Sequence, residues 1–224
     1  LAIAVFVFFR LRSVLGRRTG NERPPSDPYS SGPFERRRGE PEDAGEREDN
    51  VIRLPGSEAG SARGEDVPAY APAGSPLAAG LAQIELADRS FTPASFLEGA
   101  GRAHEMIVTA FAAGDRAALR QLLDDEVFRD FEAAIDDREA EGRRLEQSYV
   151  GLSGADITAA ELEGGRARVT VRFTSDIISA VHAANGDVVE GSPETVRQVI
   201  DVWTFERDAA SRDPNWKLVA TGAA

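Results

Sequence analysis

The sequence predicts an α+β domain in its C-terminal two thirds, with helices packed on one face of a curved antiparallel sheet. Three observations carry that expectation. Between residues 76 and 142 apolar residues recur at steps of three and four behind recognisable helix starts. After Gly142 the period changes to two. Asn185-Gly186, between two apolar-rich stretches, is a strong two-residue hairpin signal.

Each element has its own local cause. Ser75 can cap a helix whose first position is Pro76, and Leu77, Leu81 and Ile84 give it an apolar face. Thr92-Pro93 opens the longest helix. Its stripe is Phe96, Ala100, Ala103, Ile107 and Phe111, and Gly114 ends it. Asp115 can cap a short helix holding Leu119, Leu122 and Leu123. Asp124, Asp125 and Glu126 put negative charge at the start of the next helix, whose core face is Val127, Phe128, Phe131 and Ile135, up to Gly142. Ala167, Val169, Val171 and Phe173 then alternate with Arg166, Arg168, Thr170 and Arg172, the pattern of a half-buried strand, and Gly164-Gly165 fits a hairpin turn. In the stretch from Thr195 to Arg207, Val199, Trp203 and Phe205 occupy one face and Val196, Ile200 and Val202 the other. That predicts a central strand covered on both sides. Residues Asn215–Ala220 form the expected last strand, after a turn at Asp213-Pro214.

The rest of the chain is organised differently. Leu1 to Phe9 are uninterruptedly apolar and are followed by Arg10, Arg12, Arg17 and Arg18. Residues 1–15 are therefore expected to be a membrane anchor. Nine residues are too few to span a bilayer, which takes about 20. Leu1 is not an initiator Met, so the run is expected to continue upstream. Arginines after the apolar run place the downstream chain on the cytoplasmic side. A cleaved leader would carry its positive charge before the run. Residues 16–75 combine Pro-rich, Arg-rich and acidic stretches and predict a disordered linker. One apolar island interrupts it, Val51 to Pro55, either a short docking element or an incidental cluster.

Charge narrows the function classes. Residues 76–224 carry 15 basic and 26 acidic side chains, a net of −11. Such a domain is a poor ligand for phosphate backbones or anionic lipid, which basic side chains must neutralise. It suits solubility or a basic partner segment. The chain has no Cys, which excludes disulfides, thiolate metal sites and Cys nucleophiles. His104 lies at the edge of the long helix's stripe, and His182 lies near the Asn185-Gly186 turn, where exposure is expected. The acidic run before Asn50 lacks the glycine and final Glu of a calcium loop. No metal or cofactor is expected.

Asp201 is the one candidate for catalysis, because it shares a strand face with Val199 and Trp203. In a pocket, desolvation would make it a possible general base. The competing expectation pairs it with Arg172 or Arg197 or leaves it at an open rim. No partner acid, Tyr or His is identified by spacing. Trp203, Phe205 and Trp216 are large anchors, for a sheet core or for a groove that takes an apolar helix or acyl chain.

The strand pair Val202–Thr221 resembles the TIM-forty-four-like family, as does the helical segment Phe96–Phe131. Phe9–Pro25 is similar to the segment after the anchor in the bacterial members. The resemblance implies a nuclear-transport-factor-two-like cone, its sheet wrapped around an apolar pocket. It implies association with a bacterial inner membrane and an adaptor role without catalysis. The partner would be a membrane-associated protein, such as a translocation or chaperone component. Phe111, Phe173, Val199, Asp201, Trp203 and Phe205 are the candidate pocket or groove residues. The alternative is an isomerase- or lyase-type enzyme on the same fold with Asp201 as base.

Overall fold

The computed structural model describes residues 67–223. The expected anchor (1–15), most of the linker and the island at 51–55 lie outside the described residues. Among those described, no helix is long and apolar enough to cross a membrane.

The chain forms α1 (Val67–Tyr70), α2 (Pro76–Ala87), α3 (Pro93–Ala113), α4 (Arg116–Leu122) and α5 (Asp125–Ala140). Four strands follow: β1 (Arg144–Glu163), β2 (Arg166–His182), β3 (Val188–Asp208) and β4 (Lys217–Ala223). The helix starts follow their capping chemistry. Ser75, Thr92, Asp115 and Asp124 each accept a hydrogen bond from the backbone N–H three residues on. Gly114 ends α3 with φ +71°, a left-handed conformation in which a side chain would clash with the backbone. One expectation changes at the N-terminal end: α1 lies within the segment read as linker. Val67 and Ala71 are buried in the core, so order begins before Ser75.

The sheet is antiparallel with strands in chain order, β1-β2-β3-β4. It is curved for a local reason. β1 carries register shifts at Tyr149/Gly151, Leu152/Gly154 and Ile157/Ala159, and each bulge bends the strand and increases its twist. The same bulges break the alternation of β1, which is why no period marks this strand in the sequence. Gly80 brings α2 against β1 so closely that a Cβ there would lie 1.9 Å from the Ala160 carbonyl oxygen. The core fills the concave side with Phe173, Phe205, Val169 and Val171 from the sheet and Leu81, Ile84, Ile107, Leu119 and Ile135 from the helices.

The expectation that β3 is covered on both faces is corrected. β3 is central only within the plane of the sheet, between β2 and β4. The helices cover one face, so Trp203 and Phe205 are buried while Val196 and Ile200 remain 52% and 43% exposed on the other.

Candidate functional site

Two places on the concave side concentrate side-chain chemistry. The first is centred on His104. Along α3 the buried residues are Pro93, Phe96, Ala100, His104, Ile107 and Ala110, so the helix's inward stripe runs through the histidine, and Ala103 and Phe111 are only partly buried. A polar ring at 0% exposure needs partners, and the sheet supplies both. His104 Nε2 is 3.1 Å from Asp201 Oδ2. Its Nδ1 is 3.2 Å from the Tyr149 hydroxyl. The ring centroid lies 4.5 Å from those of both Phe173 and Trp203.

With a neutral ring beside an ionised carboxylate, these partners select one tautomer. An ionised carboxylate only accepts, so Nε2–H donates to Asp201. In the neutral imidazole Nδ1 then accepts from the Tyr149 O–H. Burial pushes the Tyr149 phenol up from its ordinary value, reinforced by the charges of Glu105 and Asp201, so it remains a proton donor. The chain of hydrogen bonds therefore runs from Tyr149 through His104 to Asp201, whose side chain is 17% exposed.

These contacts alter the reading of Asp201. Its partner is His104, not an arginine. Arg172 lies opposite Val202 in the ladder, and Arg197 lies opposite Ile177, two repeats of the pleat away from Asp201's neighbour Phe173. The sequence shows no partner by spacing because His104 sits 97 positions away on α3, and the Tyr149 that completes the chain sits on bulged β1. The available signal was the stripe itself: counting Phe96, Ala100, His104 and Ile107 puts the histidine inside. His182 also differs from expectation. It is mostly buried at the turn, with Nδ1 3.3 Å from the Gly186 carbonyl oxygen and Nε2 2.9 Å from Glu146 Oε2.

Of the other candidates, Phe173, Trp203 and Phe205 are core residues in mutual edge or tilted contact. Val199 is half-buried on the same face, opposite Ser175. The Ser175 hydroxyl is fully buried without a hydrogen-bond partner. Phe111 does not join this group. It packs edge-on to Phe131 at 5.3 Å and lies beneath Arg138 near the end of α3.

The second place is a half-open groove of about 770 Å³ between α3, the end of α4 and the β3–β4 turn. Phe91, Phe96, Ala100, Ala103 and Leu122 give it an apolar lining, together with Phe205 and Trp216, two of the aromatic anchors expected to line a groove. Trp216 is held by Phe96, with centroids 4.8 Å apart, and by Phe91 at 5.8 Å. Met106 stands at the groove 54% exposed. The small Gly99, Ala100 and Ala103 keep this side of α3 open, and a Cβ on Gly99 would meet nothing.

A buried ion pair frames one end. Arg207 bonds Asp88, both side chains nearly enclosed, and its guanidinium lies 5.4 Å from the Trp216 ring centre. Burial lowers the Arg207 pKa against the raising effect of Asp213. Asp88 is held in place by the backbone N–H and hydroxyl of Ser90, at 2.9 and 2.7 Å. At the other end Lys217 donates to the Gln121 carbonyl at 2.5 Å, where a cation is favoured at the C-terminus of α4. Among the described residues no group of three or more acidic or His side chains is arranged to hold a metal.

Residues 77–223 match the model of the Tim44-like domain. No curated protein matches the sequence. Among solved structures, the intermembrane space region of the chloroplast protein ARC6 aligns at 14% identity and a TM-score of 0.34, covering 55% of this chain and 95% of that one. A member of the NTF2-like family from Streptomyces avermitilis aligns at 19% identity and 0.35, covering 59% and 96%. A conserved protein from Planctomyces limnophilus gives 16% and 0.31, covering 55% and 93%. None of the three fixes a role for this chain.

Proposed function

This chain belongs to the family of the Tim44-like domain, and from that premise we propose that it is a membrane-tethered adaptor whose groove beside α3 holds a protein partner. The single observation that carries the binding role is the groove: an apolar trough walled by Phe91, Phe96, Leu122 and Trp216, with Met106 at its edge. Aromatic and Met side chains around a concave apolar floor suit an inserted apolar side chain or helix face. The expected anchor at residues 1–15 and its flanking arginines support attachment to a bacterial inner membrane, with the domain on the cytoplasmic side. The partner is a membrane-associated protein, a translocation or chaperone component being the kind the family suggests.

Two measurements test this. A photo-crosslinking residue at Met106 should capture a partner in membranes, whereas the same residue at Ile200, on the opposite face of the sheet, should not. Removal of residues 1–15 should release the protein from membranes. Equal crosslinking at both positions would remove the groove from the proposal, and recovery of the shortened protein on membranes would remove the anchor.

The hydrogen-bonded chain Tyr149–His104–Asp201 favours a second reading, an enzyme of isomerase or lyase type with Asp201 as base. Against it, Tyr149 is held protonated and His104 is sealed from any substrate. The two readings separate on Asp201→Asn, which would abolish turnover by an enzyme but leave partner capture at Met106 intact.

A further inference from the structure

The groove has a property that sets it apart from the domain around it. Its charged lining residues are Arg102, Arg207 and Lys217 against Asp88. Arg207 is paired with Asp88 and Arg102 with the exposed Glu98 one turn earlier on α3, so the margin keeps a surplus of one positive charge, with Lys217 bonded only to backbone carbonyls. The domain as a whole carries a net charge of −11. An apolar trough with a cationic margin suits an apolar segment flanked by acids.

The chain contains such a segment. Val51, Ile52 and Leu54 form the apolar island in residues 16–66, and the ten residues before it hold five acids and one Arg. Twelve residues separate Leu54 from Val67, enough to reach about 40 Å when extended. α2 is about 18 Å long for its twelve residues and ends at Asp88, which lines the near end of the groove. The extended link is about twice the length of that helix.

We infer that the groove is the docking site of the chain's own Val51–Leu54 segment, with Val51, Ile52 and Leu54 against the aromatic wall and the preceding acids toward Arg102 and Lys217. This rests on the reading of the groove as a binding surface and adds its occupant. Tethering sets the energetics. A tether of about a dozen residues gives an effective concentration in the millimolar range, so a segment with an intrinsic Kd of about 0.1 mM would fill the groove most of the time. A partner must then displace it, so the bound segment sets a threshold for capture.

The test uses the full chain and its two tryptophans. Trp203 is 5% exposed and gives a constant background, so changes in quenching report on Trp216. The triple substitution Val51→Ser, Ile52→Ser and Leu54→Ser lies outside residues 67–223 and leaves every described core contact in place. It should at least double the acrylamide quenching of Trp216, and an added peptide of residues 40–58 should reverse the increase with a midpoint of about 0.1–1 mM. Arg102→Glu, an exposed change, should raise quenching in the unsubstituted chain and weaken the peptide's effect.

Unchanged quenching in the triple variant, or no response to the peptide at several millimolar, would overturn the inference. So would protection of Trp216 that depends on protein concentration, which indicates a second copy, or that appears only with anionic vesicles, which indicates lipid. Each of these failures leaves crosslinking at Met106 free to succeed, so the adaptor reading is tested separately.

Discussion

Replacing His104 with Leu is the sharpest test of how the inside of this domain is held together. The ring is fully enclosed, stacked near Phe173 and Trp203, and hydrogen-bonded through both nitrogens. Leu restores apolar volume but leaves the Tyr149 hydroxyl and the Asp201 carboxylate without their partner. A buried polar group stripped of its partner costs roughly 1–3 kcal/mol. Asp201 and Tyr149 both retain some solvent contact, so each belongs near the lower end, about 1 kcal/mol. Loss of the aromatic contacts adds about 0.5–1 kcal/mol. The expected destabilisation is therefore about 2.5–3 kcal/mol, measured by urea unfolding followed through Trp203 fluorescence.

The pattern matters as much as the size. Tyr149→Phe and Asp201→Asn should each cost about 1 kcal/mol in the natural background. In the His104→Leu background both should cost nearly nothing, because the bond each removes is already absent. A loss below about 1 kcal/mol for His104→Leu, or full additivity of the three changes, would show that the chain from Tyr149 to Asp201 does not act as a unit.

Three further outcomes are expected. Gly80→Ala pushes a methyl into the Ala160 carbonyl and should cost about 2–3 kcal/mol by separating α2 from β1, read as a lower thermal midpoint. Ser175→Ala removes a buried hydroxyl that has no partner, so stability should hold or rise by up to about 1 kcal/mol; a loss above that would reveal a hidden partner. For Glu206, burial works to raise the carboxyl, but hydrogen bonds from Arg166 and Arg168 outweigh it and hold the folded value below the usual 4.5. A depressed carboxylate contributes stability above its unfolded pKa and loses it as pH falls through the folded value. Glu206→Gln should therefore flatten the stability profile below about pH 4.5 and leave its shape near neutrality unchanged.

The helical half of the domain was written locally. Ser75, Thr92, Asp115 and Asp124 cap the helices named from their chemistry, and the core face Val127, Phe128, Phe131 and Ile135 is buried as its spacing requires. The same holds for β2, where alternation alone separates the buried Ala167, Val169, Val171 and Phe173 from Arg166, Arg168 and Arg172 on the outer face. Such features follow from contacts between residues three, four or two positions apart, which one sequence displays in full. What only the tertiary structure decided depends on contacts between distant positions. The bulges of β1 curve the sheet around α3, and that curvature brings Tyr149 and Asp201 to His104 and makes a polar residue acceptable in an apolar stripe. The side of β3 left open, the Asp88–Arg207 pair beneath Trp216 and the groove on α3 depend likewise on which surfaces meet. Solvation is settled by that meeting, and no local period encodes it.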